Sequence, residues 1–269
     1  MSVAPLSAGN ARLKDIRKLS RRSVRTERRL FLADGPKAVE GALSVPGCVV
    51  EVFATPAASD QYADLADLAD MAPAWTLVDD RALASLSDSV TPAGVVAVCR
   101  FLDGEVPADA RLVALCADVR DPGNAGTVIR CADAAGADAV VFAGHSVDPY
   151  NPKTVRASVG SLFHLPVVIE PDPAAAVRAA QAAGLQVLAA DGAGEVDLEE
   201  ADDLLAAPTA WLFGNEAWGL PAELAELADH RVRIPIHGRA ESLNLSTAAA
   251  LCLYASARVH RRQEPAERR

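Results

Sequence analysis

The sequence predicts an α/β protein in two parts: a small N-terminal α/β module, then a larger domain on a mainly parallel sheet. Three observations lead there. Brief Val-rich strands bounded by Pro or Gly alternate with helical stretches that often open on Asp. From residue 112 the strand runs turn almost wholly apolar, as in LVALCADV (112–119), the pattern of strands covered on both faces. A chain of 269 residues with 51% hydrophobic content also buries a core easily, in one large domain or two medium ones.

Residues 1–9 are small and expected to be disordered. The run 11–30, ARLKDIRKLSRRSVRTERRL, has Leu13, Ile16, Leu19 and Val24 at loosely helical spacing. Helices are then predicted over 36–44, 60–69 and 80–86, and strands over 48–54, 75–78 and 94–101. FLDGEVPADA (101–110) interrupts both neighbouring patterns and reads as the linker, which divides the chain into 1–105 and 106–269. Beyond it come a strand (112–119), a turn at Asp121-Pro122-Gly123-Asn124 and a helix (125–135). Strands at 139–143, 167–169 and 185–189 alternate with helices at 152–159 and 174–183, and an acidic helical segment leads to Trp211.

Net charge is −10, which at first argues against a nucleic-acid partner, but the charge is unevenly spread. Residues 1–30 hold nine Lys/Arg against two acids, and 256–269 five Arg against two Glu. Local basic patches, rather than whole-chain charge, set phosphate affinity. The N-terminal run, with Arg17, Arg21, Arg22, Arg25 and Arg28, therefore reads as a clamp on a nucleic-acid backbone, the alternative being a solvated helix face. No apolar run approaches a membrane span, no signal-peptide core opens the chain, and the five Cys lack metal-ligand or disulfide spacing. A cytoplasmic protein with reduced core thiols and no metal is expected. There is no dinucleotide-binding G-x-G-x-x-G after a strand, no P-loop, no G-x-S-x-G elbow and no clustered His.

The richest stretch runs from 211 to 258: a strand ending in a Gly turn (WLFGNEAWGLP), a helix, a second strand stopped by Pro235, a polar loop (HGRAESLNLS) and a long apolar helix. Asn215, Glu216, Glu241, Ser242, Asn244 and Ser246 fall at strand ends and helix starts, where open α/β sheets place ligands. Turn chemistry and helix caps account for any one of them alone. Gly214 lets backbone approach a ligand, and Ile234, Ile236 and Leu243 supply apolar walls. Upstream, Arg130 sits in an otherwise apolar helix and is expected to need an anionic partner, for which Glu216 is the natural candidate.

GNEAWGLP, IPI and ESLNLSTAAAL resemble the second and third motifs of the SpoU (TrmH-type) RNA 2'-O-methyltransferases of the SPOUT class. DVRDPGNAGTVIRCADAAGADAVVFAG is similar to their first motif. The resemblance spans roughly 140 residues in the family's order, and RTERRLFLADGPKAVEGAL fits the family's ribosomal-protein-like RNA-binding domain. It implies a trefoil-knotted catalytic domain, S-adenosylmethionine as methyl donor, a homodimer, and ribosomal RNA as substrate in preference to tRNA. It further implies catalytic roles at Asn124, Arg130, Glu216 and Asn244, with Arg130 acting on the ribose 2'-hydroxyl or holding the adjacent phosphate. Donor contacts are implied at Ala190, Leu212, Gly214, Asn215, Ile234, Ile236, Ser242, Leu243 and Asn244. Trp218 stands where the family often has Gly or Lys, and is expected to alter the pocket rim or to pack at the dimer contact. A non-catalytic RNA-binding or ribosome-assembly protein is the rival reading.

Overall fold

The computed structural model describes residues 4–65 and 74–263 and separates into two compact units. The first is Met1–Leu102 with Asp148–His164; the second is Asp103–Val147 with Leu165–Arg269.

The first unit holds a four-stranded sheet in the order β1-β4-β2-β3, from Leu30–Asp34 (β1), Val49–Ala54 (β2), Trp75–Leu77 (β3) and Val95–Arg100 (β4). Strand β4 runs antiparallel to β1 and β2, and β2 is parallel to β3. The cationic run does not form one helix. It breaks into α1 (Ala11–Ile16), a 3-10 turn (Arg17–Ser20) and α2 (Arg22–Arg28), ended by Arg29 at φ 53°. Leu13 and Leu19, both buried with Leu32, Phe53 and Val78, explain the break. Six residues apart, they cannot share one face of a regular helix, so the chain tightens between them. Strand β1 was not among the expected elements, and residues before α1 are tied down: Leu6 bridges Val78.

Helix α3 (Pro36–Ser44) forms where expected. The next opens earlier than expected, as α4 (Pro56–Gln61), because Thr55 accepts the Ala58 amide and Pro56 takes the first helical position. The remainder of the expected 60–69 helix lies partly outside the described residues. Helix α5 (Asp80–Ala84) is capped by Asp79.

Sequence reading placed 106–269 in a single domain, yet residues 148–164 group with the first unit. Buried Asp148 takes two hydrogen bonds from buried Arg25 (2.6 and 2.9 Å), and Tyr150 stacks on Phe101 with centroids 4.0 Å apart. A desolvated ion pair between residues 123 positions apart, and a ring contact between Phe101 and Tyr150 from different stretches of the chain, leave no trace in local pattern.

The second unit is a seven-stranded sheet in the order β7-β6-β5-β10-β8-β11-β9, parallel at every pairing. Its strands are Leu112–Ala117 (β5), Ala139–Ala143 (β6), Val167–Glu170 (β7), Gln186–Ala190 (β8), Val196–Asp197 (β9), Thr209–Phe213 (β10) and His230–Arg233 (β11). The chain builds outward from β5 to β7, then returns to insert β10 between β5 and β8. Helix α6 (Pro122–Ala135) packs beside the 19-residue α11 (Leu245–Gln263), and Trp211 is fully buried with its indole N–H donating to Ser256 Oγ (2.9 Å). The acidic segment before β10 forms only a 3-10 turn and a short helix, Asp202–Leu205.

Candidate functional site at the strand ends

Beyond the C-terminal end of β10, Gly214 to Gly219 fold into a tight hairpin. Asn215 and Gly219 exchange both backbone hydrogen bonds at 2.9 Å, and Gly219 takes φ +69°, a conformation that glycine adopts without strain. Gly214 is required for a different reason: a Cβ there would lie 2.4 Å from the Gly219 carbonyl carbon and 2.6 Å from the Leu220 nitrogen. The buried Asn215 side chain donates to the Asp118 carbonyl (2.7 Å) and accepts the Ala217 amide (2.8 Å), locking the hairpin to the end of β5.

Glu216 joins this hairpin to the start of α6. Its carboxylate accepts the amides of Arg120 (3.1 Å) and Asp121 (3.0 Å) and the Asn124 side chain (3.2 Å). Burial opposes its charge, but the Asp121 and Arg120 amides, its own amide and Asn124 together outweigh that and hold its pKa below the ordinary carboxylate range. Glu216 is thus a fixed anion near a helix start, where Asp121 already caps the helix through the Asn124 amide. Asn124 in turn accepts from Asn244 Nδ2 (3.1 Å), while Asn244 Oδ1 takes the amides of Ser246 (2.9 Å) and Thr247 (3.3 Å) at the start of α11. Three of the four expected catalytic residues, Asn124, Glu216 and Asn244, therefore form one hydrogen-bonded chain.

A cavity of about 300 Å³ opens beside this chain. Its wall includes Ala190, Gly214, Asn215, Ile234, Ile236, Ser242 and Leu243 from the expected donor contacts. Leu212 is a correction. Alternate residues of β10 face opposite sides, and Leu212 is fully buried in the core cluster with Val113, Leu115 and Val187, whereas Phe213 reaches the cavity. Asn244 is not on the wall either; capping α11 turns it toward Asn124. Sequence reading missed Asp191 and Gly192, which do line the cavity. Their Asp-Gly turn at the end of β8 was the available signal.

The expected Arg130–Glu216 pair does not form. Arg130 is exposed on α6, so no burial forces a partner on it, and Glu216 is occupied by the amides and Asn124. Six residues past Asn124, Arg130 lies about 9 Å further along the axis and about 120° around it. In the first unit, Arg25 is a second correction. It is 1% exposed, with its guanidinium shared between Asp148 and the carbonyls of Leu19 and Ser20, so it cannot meet a phosphate. Arg28 pairs with Asp15 (2.6 and 2.9 Å) and Arg17 donates to the Ala8 carbonyl, whereas Arg21 and Arg22 are exposed and make no ion pair among the described residues.

A parallel sheet with a cleft at its strand ends, fenced by a glycine hairpin and a polar loop, is the arrangement in which open α/β folds hold a small ligand. Here the comparisons make it a SPOUT methyltransferase. The SpoU rRNA Methylase family model matches residues 111–254, and the MRM3-like substrate binding domain matches 10–97. The chain is 37% identical over 251 residues to the 23S rRNA (guanosine(2553)-2'-O)-methyltransferase RlmP of Bacillus subtilis, covering 92% of this chain and 96% of that one. It is similar to the AdoMet-bound rRNA methyltransferase from Sinorhizobium meliloti (TM-score 0.81, 34% identity, 93% and 95% of the chains). AviRb from Streptomyces viridochromogenes with AdoMet is as similar in fold (TM-score 0.81, 32% identity, 95% and 100%). The chain belongs to the SpoU rRNA methylase family, the S-adenosylmethionine-dependent RNA 2'-O-methyltransferases.

The residues present fit that donor. Val232, Ile234, Ile236 and Leu243 offer apolar wall for a base, and among the described residues no amide from Ile236 to Asn244 donates to a backbone carbonyl. The amides of Ile236, Glu241, Ser242 and Leu243 on the wall could meet the donor's polar groups; among the described residues no Lys or Arg lines the cavity.

Proposed function

We infer that this protein methylates a ribose 2'-oxygen in ribosomal RNA, with the donor held in the cavity bounded by Gly214, Ile234, Ser242 and Leu243. The observation that carries this reading is the Glu216–Asn124–Asn244 chain at the edge of that cavity. The bound donor supplies a methyl group on a good leaving group, so the protein's work is alignment and electrostatics. Glu216 is unsuited to proton abstraction because its lone pairs already face three N–H donors; it holds the Asp121–Asn124 turn in place. Asn124 and Asn244, whose amides fix one another, orient the nucleotide. Arg130, exposed on α6, anchors a phosphate and stabilises charge developing on the attacking oxygen.

Residues 1–105 serve as the RNA-binding domain and 106–269 as the catalytic domain, with 148–164 contributing to the first. Arg21 and Arg22 are the phosphate contacts within the basic run. The return of the chain to place β10 between β5 and β8, followed by the polar loop and α11, supports a trefoil knot. Leu251 (44% exposed) and Tyr254 (52%) on α11 form an apolar face suited to a second copy, which supports a homodimer, and Trp218 (61%) stands exposed on the hairpin. Cytoplasmic location follows from a ribosomal RNA substrate.

The test is incubation of unmodified ribosomal RNA and tRNA with isotopically labelled methyl donor, followed by nucleoside mass mapping. Label on a ribose of ribosomal RNA is the expected result. Label on a base, or on tRNA alone, would remove this reading.

A further inference from the structure

The charged side chains lining the cavity all carry one sign. Asp191, Glu216 and Glu241 bring carboxylates to the wall, and among the described residues no lysine or arginine accompanies them. Glu216 is answered by two backbone amides and Asn124. Among the described residues the Asp191 carboxylate accepts only the Ala193 amide (2.9 Å), Glu241 is exposed on the loop before α11, and neither makes an ion pair.

Methyl transfer changes the donor's charge. The carbon–sulfur bond breaks toward sulfur, whose regained lone pair neutralises the sulfonium. The methyl carbon bonds to the ribose oxygen, whose hydroxyl proton passes to solvent water. The donor enters with one net positive charge and departs as a neutral zwitterionic thioether.

We propose that Asp191 and Glu241 are specificity-determining residues that favour the cationic sulfonium over the neutral thioether, so that transfer itself loosens the product. This rests on reading the cavity as the donor site. The attraction stabilises the ground state more than the transition state, where positive charge is leaving sulfur. Neutral substitutions therefore raise the donor's KM without lowering kcat.

Calorimetry on the full chain with two probes tests this. Sinefungin carries a cationic amine where the donor has its sulfonium, and S-adenosylhomocysteine is neutral there. Asp191→Asn and Glu241→Gln are each expected to weaken sinefungin by about two- to fivefold, the span of a partly exposed charge pair, while S-adenosylhomocysteine holds its affinity. In the unaltered protein the preference for sinefungin should shrink with added salt, a measurement that needs no variant. Equal weakening of both probes, or a preference indifferent to salt, overturns the proposal and assigns the carboxylates to groups the probes share. If the unaltered protein binds neither probe, the cavity reading itself falls and takes this proposal with it.

Discussion

The two loops that bound the proposed donor cavity are built on opposite principles. The Gly214–Gly219 hairpin satisfies its own backbone, is bolted to β5 through Asn215 and to α6 through Glu216, and leaves no space for a methyl group at Gly214. Among the described residues the 236–244 loop donates no backbone–backbone hydrogen bond, and it is fastened at its far end by Asn244. One wall is preorganised, at a cost met in folding; the other keeps its amides available for a ligand. Stability and affinity should therefore separate between them.

The largest effect is expected at Gly214→Ala. Backbone at 2.4 Å cannot yield as a flexible side chain would, so the hairpin must shift. Thermal melting should fall by an amount equivalent to about 1–3 kcal/mol, and S-adenosylhomocysteine affinity by more than about tenfold. A fully stable, fully binding variant would refute the preorganised wall. Next comes Glu216→Gln, which removes the anion from the Arg120 and Asp121 amides and should lower unfolding free energy by about 1 kcal/mol at neutral pH. Because the folded state lowers the Glu216 pKa, its stabilisation is complete above the ordinary value near about 4.3 and is lost as pH falls through the lowered one. The gap between wild type and variant should therefore close in acid; a gap constant with pH would show the charge to be irrelevant.

Smaller in stability, but not in binding, is Ile236→Ala. Ile236 is 38% exposed, so unfolding should change by within about 0.5 kcal/mol while donor affinity drops several-fold. The mildest probe alters no residue. Amide hydrogen exchange should find the Asn215 and Gly219 amides protected without ligand, and those of 236–244 fast until S-adenosylhomocysteine is added. Equal protection in the free protein would erase the contrast.

Much of this was legible in the sequence, for identifiable reasons. LVALCADV and its successors read as buried parallel strands because an apolar run flanked by helical periods has few other solutions. Gly214 stood out because glycine beside polar residues at a strand end marks close backbone approach. Where reading failed, the deciding contact was distant in sequence. Arg25 looked like its exposed neighbours Arg21 and Arg22 until Asp148 was folded against it. Arg130 looked buried because its helix neighbours were apolar, but a helix has two faces and the sequence does not say which one meets solvent. Leu212 missed the cavity by one residue of strand alternation.

The order of strands and helices, the glycine positions, the short polar residues at strand ends and the family's motifs were set by the sequence alone. These depend on local backbone preference and on hydrophobic period, both properties of neighbours in the chain. Only the tertiary structure decided which arginines are free to meet RNA, that residues 148–164 complete the first unit, and that Glu216 is held by amides rather than by a guanidinium. Those outcomes turn on burial and on partners about a hundred positions away, where desolvation decides whether a charge must be paired.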